Sequence, residues 1–153
     1  MSARLYAANG FVDDGFAELV PLATFLEAPG NTAAVLLEPD SRLEGLVPLL
    51  GQVALIAIRF PKFSDGRGYS VAARLRLHHG YSGVLRATGD VLIDQVQFFF
   101  RCGFDQLAVT HGPTLQRLES GATPVHSHFM QPDVGASEAA PAIGHAYSWR
   151  RAG

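Results

Sequence analysis

Residues 53–59, Val53-Ala-Leu-Ile-Ala-Ile-Arg, begin the most hydrophobic run of the chain, with no polar alternation before Arg59. A strand with one wet face alternates apolar and polar residues. An unbroken apolar run of this length therefore reads as a strand covered on both faces, as in a parallel sheet packed between layers.

The flanking pattern fits that reading. Ala33-Ala-Val-Leu-Leu37 is a second buried strand, residues 81–87 a third and residues 106–109 a fourth. Between them run helical spacings. Leu22, Phe25 and Leu26 mark a short helix stopped by Pro29-Gly30. Leu43, Leu46, Val47 and Leu50 share one helix face, with Ser41 and Glu44 in capping-box relation before Gly51. Residues 69–79 form a helix ended by Gly80. Residues 91–102 read as the clearest helix, with Leu92, Val96, Phe99 and Phe100 inward. Gly103 suits the left-handed position after it, where Phe104 can close back on Phe99. Gly112-Pro113 opens a last helix, with Leu115 and Leu118 inward.

Strand and helix thus alternate about four times with short connections. That predicts an α/β domain with a mainly parallel, open sheet in Rossmann-like or flavodoxin-like layering, a partial βα barrel being the alternative. Residues 1–31 are expected to form an N-terminal arm, either a small hairpin or a loose segment, with a short helix. Residues 32–132 are the α/β core, with an edge strand at 125–129, and residues 133–153 read as a disordered tail.

At 153 residues, 48% apolar and 17% charged, the chain can bury a full core as one domain. Its formal charge of −2 gives no reason to expect nucleic acid or an anionic membrane as partner. No apolar run reaches the roughly 18–20 residues of a membrane span, and the N-terminus lacks signal-peptide character, so a cytoplasmic location is expected. The single cysteine, Cys102, supplies no disulfide and too few thiolates for an iron–sulfur or structural zinc site. The chain has no Gly-x-Gly-x-x-Gly, no P-loop Lys-Ser/Thr pair and no Cys-x-x-Cys, so no cofactor is visible and no metal is expected.

Candidate chemistry gathers in two loops that leave carboxyl ends of strands, the rim where parallel α/β folds bind ligands. One loop carries Lys62, Asp65 and Arg67. The other carries Arg86, Asp90 and, one turn on, Asp94. Three cations and two helix starts on one rim would suit a small oxyanion such as sulfite, sulfate or phosphate. Asp65 or Asp90 could orient the cations or act as general acid/base, and the bland reading gives helix caps and surface ion pairs. His78 and His79 suit a helix C-terminus, and His126 and His128 lack a third ligand. Cys102 reads as a buried inert thiol, Phe98-Phe-Phe100 as core, and Arg101 as a helix C-terminal charge.

Three ordered motifs carry a family resemblance: Phe60-Pro-Lys-Phe-Ser-Asp-Gly-Arg-Gly-Tyr-Ser, Leu85-Arg-Ala-Thr-Gly-Asp-Val-Leu-Ile-Asp-Gln95 and Arg101-Cys-Gly-Phe-Asp105. From about Thr32 to Pro132 the chain resembles an uncharacterised bacterial family of small proteins encoded beside sulfite reductase and labelled as oxidoreductases of sulfite reduction. The resemblance implies a setting, assimilatory sulfite reduction, and carries no catalytic residues. It makes an accessory protein with an anion-binding rim the leading expectation, partnered by sulfite reductase or another sulfate-assimilation protein. The rivals are a small oxidoreductase or lyase with an Asp acid/base and a borrowed cofactor, and a reductase-binding module without ligand.

Overall fold

In a computed structural model, residues 3–16, 18–30 and 34–121 are described. The strand expected at 125–129 and the tail at 133–153 lie outside them. The chain runs β1 (Arg4–Ala7), β2 (Gly10–Val12), β3 (Val20–Pro21), α1 (Leu22–Glu27), β4 (Ala34–Leu37), a 3-10 helix (Val47–Gln52) and β5 (Leu55–Phe60). Then come α2 (Arg67–Leu77), β6 (Val84–Gly89), a 3-10 turn (Ile93–Gln95) that continues into α3 (Val96–Arg101), β7 (Gln106–Val109) and α4 (Gly112–Glu119).

All seven strands join one open sheet in the order β2-β1-β7-β6-β5-β4-β3. Strands β3 to β7 are parallel and adjacent in chain order, while β1 runs antiparallel to both β7 and β2. This is the open, mainly parallel α/β sheet that the alternating pattern implied. The N-terminal residues form the hairpin rather than the loose arm, and that hairpin extends the sheet beyond β7.

Sequential order has a consequence for layering. Right-handed crossovers that always step in one direction put every helix on the same face. The packing agrees: Val35, Leu37, Ile56, Ile58, Phe60, Leu85, Ala87, Leu107 and Val109 share one core with Phe25, Val71, Leu75, Phe99 and Leu118 from the helices. The opposite face holds a smaller cluster, Ala34, Leu55 and Ala57, packed by Phe16, Leu19, Leu36 and Val84. No described helix contributes to it. Rossmann-like layering would put helices on both faces; here Phe16 and Leu19, from irregular chain after β2, pack on the second face.

Two helices differ from their sequence reading. The face at Leu43–Leu50 winds only as turns and a 3-10 helix, with Pro48 in its first turn. Ser41 does not cap it, because its Oγ accepts the Glu38 N–H at 2.9 Å. The helix expected from Val91 starts as a 3-10 turn at Ile93 and becomes α-helical only at Val96. Its end is as expected. Gly103 has φ +97°, Phe104 N–H reaches Phe99 O at 3.2 Å, and the two rings meet edge-on at 5.4 Å.

Phe60 closes the core at the carboxyl rim, with Tyr69 and Phe99 each 4.9 Å away between ring centroids. Gly89 allows the next turn. Its φ is +96°, and a Cβ there would lie 2.3 Å from Phe60 O. Gly89→Ala is therefore expected to destabilise the fold by about 2–3 kcal/mol, from strain plus a backbone clash. A lower urea midpoint at unchanged m would register this, and an unchanged midpoint would refute it.

Candidate functional site

The two candidate loops do meet, but as scaffold. Asp90 leaves β6 with its N–H on Phe60 O at 2.8 Å, and its carboxylate accepts the Phe63 N–H at 2.7 Å. Gln95 donates to Phe63 O at 2.9 Å. The 61–66 loop is thereby pinned at both polar atoms of one peptide residue, with the Phe63 ring left 54% exposed. Asp90 serves loop geometry. Asp94 is exposed in the 3-10 turn, and Lys62 is exposed with its carbonyl closing a turn onto Asp65 N–H.

Asp65 and Arg67 satisfy one another. Arg67 donates from Nε at 2.9 Å and from Nη2 at 2.7 Å to the two carboxylate oxygens. This fork holds the Asp65 carboxyl down at about 2 and raises Arg67. A carboxylate that weakly basic is poorly matched to proton transfer near neutral pH. Arg67 is exposed and Asp65 only partly buried, so the pair adds little stability.

Arg86 goes elsewhere. It sits inside β6, paired with Ala57 on β5 and Gln106 on β7, so its side chain leaves the sheet on the helix-free face. There it is 3% exposed. Its Nη1 and Nη2 donate to the two oxygens of Asp14 at 3.1 and 2.8 Å, and its Nε and Nη2 donate to Gln106 Oε1 at 3.1 and 3.0 Å. The Phe16 ring stands 5.8 Å from the guanidinium carbon. Asp14 also accepts the Phe16 N–H at 3.0 Å. Its carboxyl is lowered chiefly by the hydrogen bonds from Arg86, against the opposing effect of burial.

Beside this pair lies a cavity of about 520 Å³, whose lining includes Leu5, Phe16, Leu19, Arg86, Thr88 and Ala108. That volume falls in the range of small-molecule sites. The expected rim of three cations is thus divided: Asp65, Arg67 and Asp90 stay with the 61–66 loop, and Arg86 faces the cavity on the other side of the sheet.

Asp14 and Gln106 were missed in the sequence. Asp13-Asp14-Gly15 carried only a turn signal, yet a lone arginine inside the apolar strand 84–87 already demanded a distant partner. Arg76 was missed too. It donates to the carbonyls of Gly103, Tyr81 and Gly83 and to Asp105, at 2.5 to 3.0 Å, tying the end of α2 to the amino ends of β6 and β7. Nearby Tyr81 is pushed up to about 12 by burial. Arg101 is buried. Among the described residues no group of three or more His, Cys, Asp or Glu is placed to hold a metal, and no helix is long and apolar enough to cross a membrane.

A family model for a bacterial protein of unknown function, DUF934, matches residues 34–140, well over half of the chain. No curated protein and no solved structure matches. Arg86 and Gln106 lie within the matched span and Asp14 before it.

The Asp65–Arg67 fork can be titrated directly. Its folded pKa is depressed, so its small contribution to stability is present above pH 3.8 and is lost as pH falls toward about 2. Carboxyl NMR is expected to show Asp65 titrating near 2, and higher, toward 3.8, once Arg67→Leu removes the guanidinium. An Asp65 titration that ignores this substitution would refute the pairing.

Proposed function

We propose that this chain, which belongs to the bacterial DUF934 family of unknown function, acts as an accessory protein of assimilatory sulfite reduction that binds a small anionic group. The setting rests on the resemblance carried by the motifs at Phe60, Leu85 and Arg101. Its partner would be sulfite reductase or another protein of sulfate assimilation. The anion reading moves from the rim to the opposite face of the sheet, because Arg67 pairs with its neighbour on an open loop while Arg86 borders a cavity of ligand size.

One observation carries the reading. Arg86 is a buried guanidinium beside a cavity of ligand size, oriented by a neutral amide and neutralised by a single half-exposed carboxylate. An arginine with a fixed edge and an exchangeable counter-ion is a preorganised receptor for a planar or tetrahedral anion. The acid/base alternative has less support, since Asp65 is locked by Arg67 and Asp90 by the Phe63 amide.

Calorimetric titration with sulfite, sulfate, phosphate and benzoate tests this. Saturable binding of at least one is expected, weakened about tenfold or more in Arg86→Lys, which keeps the charge and loses the fork. If none of the four binds, or if Arg86→Lys binds as the wild type does, the proposal falls.

A further inference from the structure

We infer that Asp14 is a built-in stand-in for the ligand: the Arg86 fork takes a carboxylate carried on an apolar body, which enters by displacing Asp14 and lifting residues 13–16 from the sheet. The inference rests on the reading of Arg86 as the anion anchor and names the chemistry and the gate of that site.

The geometry of the fork points to a carboxylate. Asp14 meets the two terminal nitrogens with one oxygen each, the end-on bidentate arrangement of a carboxylate and a guanidinium. Gln106 holds the other edge independently, so the guanidinium stays aimed when Asp14 leaves. Exchange of one carboxylate for another never strands the buried charge, the step that makes breaking such a pair costly.

Access requires the exchange. With Asp14 and Phe16 in place Arg86 is only 3% exposed, so an anion reaches it only when they move. The Asp14 side chain itself is 46% exposed, on the outer side of the fork. Residues 13–16 have no regular secondary structure; Asp13, Asp14 and Gly15 are exposed, and Phe16 is partly buried. Such a segment belongs to the low-stability end of a fold and opens without disturbing the sheet.

The cavity supplies the rest of the specificity. Leu5, Phe11, Val12, Leu19 and Ala108 offer apolar walls that an inorganic ion cannot use. The charged groups facing it are Arg4 and Arg86 against Asp13, Asp14 and Glu18. With three carboxylates near two guanidiniums, a doubly charged sulfate or phosphate is repelled more than a monocarboxylate.

The test uses the full chain with benzoate, acetate, sulfite and sulfate as probes. Benzoate is expected to bind more tightly than acetate, sulfite or sulfate, and Asp14→Asn to tighten it by about tenfold or more, because the self-occupied state no longer competes. Phe16→Ala, which leaves the ion pair and loosens its cover, tightens it as well and serves should Asp14→Asn fold poorly. In the wild type, benzoate speeds hydrogen exchange at the Phe16 amide, whose acceptor is Asp14. Sulfite or sulfate binding better than benzoate, affinity unmoved in both variants, or an unaffected Phe16 amide would each overturn the inference while the anion-binding reading stood. Silence from every probe in every variant would sink both.

Discussion

The direction in which the sheet is wound sets the rest of this structure. Five parallel strands follow one another in chain order, and right-handed connections then commit every described helix to one face. The other face still presents Ala34, Leu55 and Ala57, which water would penalise. The chain covers them from the irregular stretch after β2, through Phe16 and Leu19. A loop has little regular hydrogen bonding of its own, so its attachment depends on side chains. Arg86 and Asp14 supply that attachment.

Local chemistry made much of the fold legible. The apolar runs found β4, β5 and β7, and Gly103 with Phe104 found the end of α3, because each depends on residues close in sequence. Strand order was not legible. Nothing in β1 announces that it pairs with β7, some hundred positions away, as well as with β2. The start of α3 misled for a different reason. Leu92 is apolar and in phase with the helix stripe, but its backbone is extended, before the helix begins. Periodicity reports burial, and burial is not confined to helices.

The candidate site was half legible by the same logic. Arg67 finds its partner two residues away, so its pairing could be anticipated as a surface ion pair, and it is one. Asp90 and Gln95 act on the Phe63 backbone, a role that no side-chain pattern encodes. Arg86 was selected for its charge and assigned to the wrong face, because strand parity was not tracked from the apolar neighbours. Leu85 and Ala87 point into the helical core, so Arg86 between them must point away from it. Arg76 carried no signal in the helix pattern, although its position one turn before Gly80 lets its stem reach the strand starts.

A buried arginine held by an exposed aspartate is an inefficient way to secure a loop. Taking a guanidinium out of water is expensive, and the partial exposure of Asp14 lowers the attraction that offsets it. An apolar residue at position 86, matched to Phe16, would cover the same surface without that penalty. What the pair provides, and an apolar contact does not, is exchangeability: one carboxylate can replace another at constant charge. The division of the site along the chain fits this. The guanidinium and its orienting amide stand on β6 and β7, whereas the carboxylate that covers them comes from the irregular segment after β2. A guanidinium built into the sheet and covered from outside by Asp14 is the arrangement that the proposed exchange requires.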